Sequence, residues 1–95
     1  MNYLKLKIKL LKPFSNAVGK SEIEIDFAGS TLGDLLKLLV DSYPRLKKEF
    51  YTKTDELTEY LCIFVNDKPS SALNALKTEL ENGDEILFFI PISGG

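Results

Sequence analysis

Asn82-Gly83-Asp84-Glu85-Ile86-Leu87-Phe88-Phe89-Ile90-Pro91-Ile92-Ser93-Gly94-Gly95 runs from a turn, through five consecutive apolar residues, to a bare diglycine. Asn82-Gly83-Asp84 has the composition of a tight turn, and residues 85–90 read as a short strand. Apolar residues on both of its faces suit a central strand. Pro91 fixes φ and removes a backbone donor, so the strand ends there and the last residues project. Glycine has no Cβ, so Gly94 and Gly95 take extended or positive-φ backbone freely and can thread a narrow channel. A carboxylate on Gly95, with a reference pKa of roughly 3.5, is ionised at neutral pH and can attack the α-phosphate of a nucleotide. With glycine at about 7% of residues, two in succession arise by chance in roughly 0.5% of cases. Residues 91–95 are therefore expected to be a flexible tail that carries the reactive end.

The rest of the chain supplies partners for that strand. Residues 3–11 alternate Leu4, Leu6, Ile8 and Leu10 with Lys5, Lys7 and Lys9, the period-two pattern of a half-buried strand. Residues 21–27 alternate again, with Ile23, Ile25 and Phe27 inward and Glu22, Glu24 and Asp26 outward. Side by side, the lysine and carboxylate columns would support one register by a few tenths of a kcal/mol per pair. Pro13, Ser15, Asn16 and Gly19 between them predict a loop.

Thr31 is placed to cap a helix, with Asp34 complementing its dipole. Leu32, Leu35, Leu36, Leu39, Val40 and Tyr43 then follow the spacing of a helix packed on one side. Pro44 should end it at Tyr43. A short second helix is expected over residues 44–51, and a polar, mobile loop over residues 52–58. Residues 60–65 read as a strand, Asn66-Asp67-Lys68-Pro69 as a turn, and residues 70–81 as irregular or briefly helical, anchored by Leu73, Leu76 and Leu80. The order of elements predicts one α+β domain, residues 1–95.

Composition narrows the chemistry. The 95 residues include 12 basic and 14 acidic ones, for a net charge of −2, which argues against nucleic acid as the main partner. There is one cysteine and no histidine, so Ser-His-Asp and Cys-His nucleophilic catalysis and an ordinary zinc site are excluded within one chain. The longest apolar runs, residues 61–65 and 86–90, are too short to span a bilayer. No signal-peptide pattern opens the sequence. A cytoplasmic protein, with no membrane partner, no metal and no bound cofactor, is the expectation.

Several of these pieces recur together in one family. Thr31-Leu32-Gly33-Asp34-Leu35-Leu36 opens the helix, Tyr43-Pro44 closes it, and Phe64-Val65-Asn66 precedes a turn. Leu80 is followed by Gly83-Asp84-Glu85-Ile86, then Phe88-Phe89, then Pro91-Ile92-Ser93-Gly94-Gly95. The pattern resembles the MoaD/ThiS family of ubiquitin-like sulfur carriers over nearly the whole chain. The resemblance implies a β-grasp fold: a mixed sheet of four to five strands, first and last strands parallel and central, with one main helix across one face.

It also implies a mechanism. A ubiquitin-activating-type adenylyltransferase would use ATP to adenylate Gly95, and a sulfurtransferase would convert it to a thiocarboxylate. The sulfur would go to a biosynthetic acceptor, for example the molybdopterin precursor through a MoaE-like large subunit, or to tRNA. The alternative is a protein modifier joined through Gly95 to lysines of target proteins. The chain departs from the molybdopterin carriers at Ile90-Pro91, where they have two prolines, and at Asp67, where they have glycine, which leaves room for the modifier branch. In either case the chain is a carrier without catalytic residues of its own.

Candidate contacts follow. Gly94, Ser93, Ile92 and Pro91 would line the enzyme's channel. With one substantial helix, one face of the sheet is left without cover, so Phe89 and Leu87 are expected to form an apolar patch that docks the activating enzyme. Phe89 is the preferred anchor, though it would fit a core position equally well. Cys62 reads as a small packing residue.

Overall fold

A computed structural model describes residues 3–70 and 75–91. β1 (Leu4–Leu10) and β2 (Glu22–Phe27) are antiparallel, with Lys5, Lys7 and Lys9 opposite Asp26, Glu24 and Glu22. The two charge columns thus meet in the expected register. Their one described ion pair, Lys5–Asp26 at 3.9 Å, is largely solvent-exposed, so it fixes little stability by itself. β5 (Glu85–Phe89) pairs parallel with β1 and antiparallel with β3 (Cys62–Val65). A two-residue β4 (Lys68–Pro69) closes the edge, giving the order β2-β1-β5-β3-β4. The first and last strands are parallel and β5 is central, as the sequence resemblance implied.

The main helix, α2 (Leu32–Ser42), begins with a capping box. The Thr31 hydroxyl accepts from the Asp34 N–H at 3.2 Å, and the Asp34 carboxylate accepts from the Thr31 and Ser30 N–H groups at 3.2 and 3.1 Å. These bonds satisfy donors that a helix start leaves unpaired. Leu32, Leu35, Leu36 and Leu39 are buried, in one core with Leu6, Ile8, Ile23, Ile86 and Phe88. Tyr43 leaves helical backbone geometry ahead of Pro44. A 3-10 turn over Pro44–Leu46 and a short α3 (Lys47–Phe50) then carry Leu46 and Phe50 into the core.

Some expectations need correction. The predicted loop at Pro13 is a five-residue helix, α1 (Phe14–Val18), ended by Gly19 at φ 89°. Phe14 is fully buried against Phe50 and Phe88, with ring centroids 5.4 and 6.4 Å away. So short a helix shows no periodicity, and its burial is set by residues distant in sequence. Ile25 points inward as expected and packs against the core, half-buried between buried Ile23 and Phe27.

Pairing in the third strand starts at Cys62, leaving Tyr60 exposed and Leu61 half-buried. β5 ends at Phe89, one residue earlier than expected. Residues 75–77 make a 3-10 turn in which Leu76 is exposed, so of the expected anchors Leu80 is buried and Leu76 is not; Leu73 lies outside the described residues. The polar stretch after Tyr51 is a folded turn. Thr52 Oγ1 accepts from the Thr54 and Glu56 N–H groups at 3.3 Å, and Tyr51 pairs with Leu57.

Candidate functional site

β5 hydrogen-bonds to a strand on each side, so its direction is fixed from both edges. At its entrance, Asn66 in the β3–β4 turn accepts from the Glu85 N–H at 2.9 Å and donates to Asp84 at 2.7 Å. At its exit, the Leu11 N–H donates to the Phe88 carbonyl at 3.1 Å. Pro91 follows, exposed. Ile92, Ser93, Gly94 and Gly95, the residues to which the sequence assigns the tail chemistry, lie outside the described residues.

Strand alternation sorts the two candidate patch residues from their neighbours. Ile86 and Phe88 are fully buried beneath the helices, while Leu87 and Phe89 are half-buried on the opposite face, where none of the described helices packs. Leu87 lies opposite Phe64, and Phe89 opposite Cys62. The Phe64 and Phe89 rings meet with centroids 5.4 Å apart and planes inclined at 59°, a tilted arrangement favoured by aromatic quadrupoles. Cys62 carries a free thiol and packs beside Phe89 at intermediate exposure.

Two contributors escaped the sequence reading. Phe64 extends the patch through the alternation of β3. Leu11 continues the outward column of Lys5, Lys7 and Lys9 but is apolar and 52% exposed. The signal for Leu11 was present in that column: its fourth position changes from lysine to leucine at the level where β5 ends.

A charged pair borders the patch. Lys9 Nζ and Glu85 Oε1 are 2.8 Å apart, each side chain a little over 40% exposed. The hydrogen bond from Lys9 holds the Glu85 carboxyl below the usual carboxylate range, and the same bond raises Lys9. The site is thus an apolar surface with a charged border, set beside the end of β5 at Phe89. Among the described residues no three His, Cys, Asp or Glu side chains stand together as metal ligands. No described helix is long and apolar enough to cross a membrane.

Comparison with known proteins points the same way. The small archaeal modifier protein 1 of Haloferax volcanii is 30% identical over 88 residues, which is 92% of this chain and 97% of the relative. A protein of Archaeoglobus fulgidus, provisionally named a sulfur carrier protein, is 28% identical over 90 residues, 95% of this chain and 100% of its own. The solution structure of small archaeal modifier protein 1 from Methanosarcina acetivorans is 32% identical, with a TM-score of 0.84 and 100% of both chains covered. The fold they share with this chain is the ubiquitin-like β-grasp. The ThiS family matches over residues 8–95, and the chain therefore belongs to the ThiS family, among small ubiquitin-like sulfur carriers and protein modifiers.

Proposed function

We propose that the chain is a sulfur carrier that works through the carboxyl group of Gly95. The carboxylate attacks the α-phosphate of ATP in a ubiquitin-activating-type adenylyltransferase, forming the acyl-adenylate and releasing pyrophosphate. A sulfurtransferase then delivers a hydrosulfide equivalent to the carbonyl carbon, which displaces AMP and leaves a thiocarboxylate. The observation that carries this reading is the strand that precedes the tail in sequence. A central strand, fixed at both ends, leads through Pro91 to Ile92-Ser93-Gly94-Gly95, and the family match runs to residue 95. The chain is then the substrate of its activating enzyme, and ATP is that enzyme's co-substrate.

Leu87, Phe89, Phe64 and Leu11 would seat the enzyme while the tail enters its channel. A sulfur-accepting partner, such as a MoaE-like subunit, would take the tail in turn. A second reading is favoured by the identity to small archaeal modifier proteins, 30% and 32% for the two described above. In that case a lysine amine of a target protein attacks the same acyl-adenylate and forms an isopeptide bond. The two readings share their first step and part at the nucleophile. Carrier-dependent pyrophosphate exchange tests the first step, and intact-mass analysis of protein from its native cells separates the products.

A further inference from the structure

Phe89 and Ile90 are neighbours in sequence, yet they border different surfaces. Phe89 belongs to the outer patch, while Ile90 packs against the core on the helix side and lines an open groove of about 780 Å³. Its lining includes two aromatic rings and an aliphatic side chain, with Tyr51 and Ile90 half-buried and Tyr60 66% exposed. Its rim carries Lys47, Lys48 and Lys53 against Glu49 and Asp55, an excess of positive charge in a chain whose net charge is −2.

We propose that this groove is a second docking surface for the activating enzyme, one that takes an extended acidic segment bearing an apolar side chain. The proposal rests on the sulfur-carrier reading. Four residues beyond Pro91 reach at most about 14 Å, so an enzyme that encloses Gly95 stands over this corner of the molecule. An exposed tyrosine such as Tyr60, beside apolar side chains, is a usual anchor of an interface. The lysine rim supplies the charge complement. The bonds to Thr52 hold the side of the groove that carries Lys53 in shape, which lowers the ordering cost of docking. The base of the tail then lies between two contact surfaces, the outer patch and the groove.

Two experiments test this. In the first, the full chain is titrated with a synthetic acidic hexapeptide containing a central leucine and followed by amide NMR. Saturable shifts at Lys47, Lys48, Tyr51, Thr58 and Tyr60 that weaken with salt support the groove. No shifts, or shifts confined to Phe64 and Leu87, overturn it. In the second, Tyr60→Ala and Lys48→Glu, both surface changes, should raise the KM for the carrier in pyrophosphate exchange by about fivefold or more, the size expected of a truncated anchor. The kcat and the melting midpoint should hold. An unchanged KM overturns the proposal.

Other occupants have their own signatures. Tyr51 and Tyr60 resonances that move when residues 92–95 are removed, with no ligand present, would assign the groove to the chain's own tail. Resonances that move with protein concentration would assign it to a second copy. Either result overturns the proposal. Absence of exchange with the native chain would overturn the sulfur-carrier reading, and the enzyme as occupant with it, whereas the peptide titration reports on the groove alone.

Discussion

The side-chain amide of Asn66 donates to the carboxylate of Asp84 across 2.7 Å, joining the β3–β4 turn to the entrance of β5. Three further bonds complete the clamp. The Asn66 N–H donates to the Glu85 carbonyl at 2.8 Å, the Glu85 N–H donates to Asn66 Oδ1 at 2.9 Å, and the Glu81 N–H donates to the other Asp84 oxygen at 2.7 Å. Asn66 and Asp67 both have positive φ, 50° and 69°, as a two-residue hairpin turn requires. Asp84 is buried, so its carboxylate depends on these protein donors. The clamp sets where β5 starts.

Asn66→Ala should therefore cost about 1–3 kcal/mol in denaturant melts, since it leaves an oxygen of buried Asp84 without its amide donor. Asn66→Gly keeps the positive φ and removes the same bonds, so it separates the two contributions. If the glycine variant matches the native chain, backbone conformation matters at this position and the amide clamp does not.

Acid should weaken the fold through Asp34 and Glu85. The Ser30 N–H, then Thr31, hold the Asp34 carboxyl below its ordinary value, and the Lys9 hydrogen bond lowers Glu85. A carboxyl with a depressed folded pKa stabilises fully above the unfolded value, near 4, and loses that contribution as pH falls through the folded value. Lys9 is raised by Glu85, so its contribution is complete below about 10.4 and is lost as pH rises through the folded value. Asp34→Asn should flatten the acid limb of a melting-midpoint profile. Parallel acid limbs in variant and native chain would remove Asp34 from this role.

Substitutions at Phe88 and Phe89 should separate folding from docking. Phe88 is fully buried in contact with Phe14 and Phe50, and Phe89 is half-buried on the outer face. Phe88→Asp places a charge in the core and should prevent folding. Phe89→Asp should leave the melt near native and weaken association with the activating enzyme, measured by calorimetry. Native affinity in the folded Phe89 variant would remove that residue from the interface.

The strands and α2 were legible because their periods are long enough to count. Seven residues of β1 and eleven of α2 each show which face is buried. Five residues at Phe14 cannot do so, and the burial of that ring depends on Phe50 and Phe88, far along the chain. The outer patch was legible in β5 from Leu87 and Phe89. Phe64 and Leu11 join it only once strand order and register bring them alongside. The groove beneath Ile90 combines α3, the turn after Tyr51, and Tyr60, so no single stretch of sequence announces it.

The tail itself provides the decisive measurement. A free carboxylate is a poor acyl donor, and joining it to AMP supplies a good leaving group. Glycine at positions 94 and 95 has no Cβ to hinder the carbonyl, and Pro91, without a backbone donor, cannot extend the pairing that ends at Phe89. Deleting Gly95 moves the carboxylate back by one residue, or about 3.3–3.6 Å of chain, a distance that costs an aligned phosphoryl transfer most of its rate. Adding a residue after Gly95 displaces the carboxylate forward by as much. Both variants should abolish carrier-dependent pyrophosphate exchange, and neither should shift the melting midpoint, because the buried core lies between Leu6 and Phe88. Exchange at the native rate in either variant would show that Gly95 is not the activated residue, and both the sulfur-carrier and the modifier readings would then fail together.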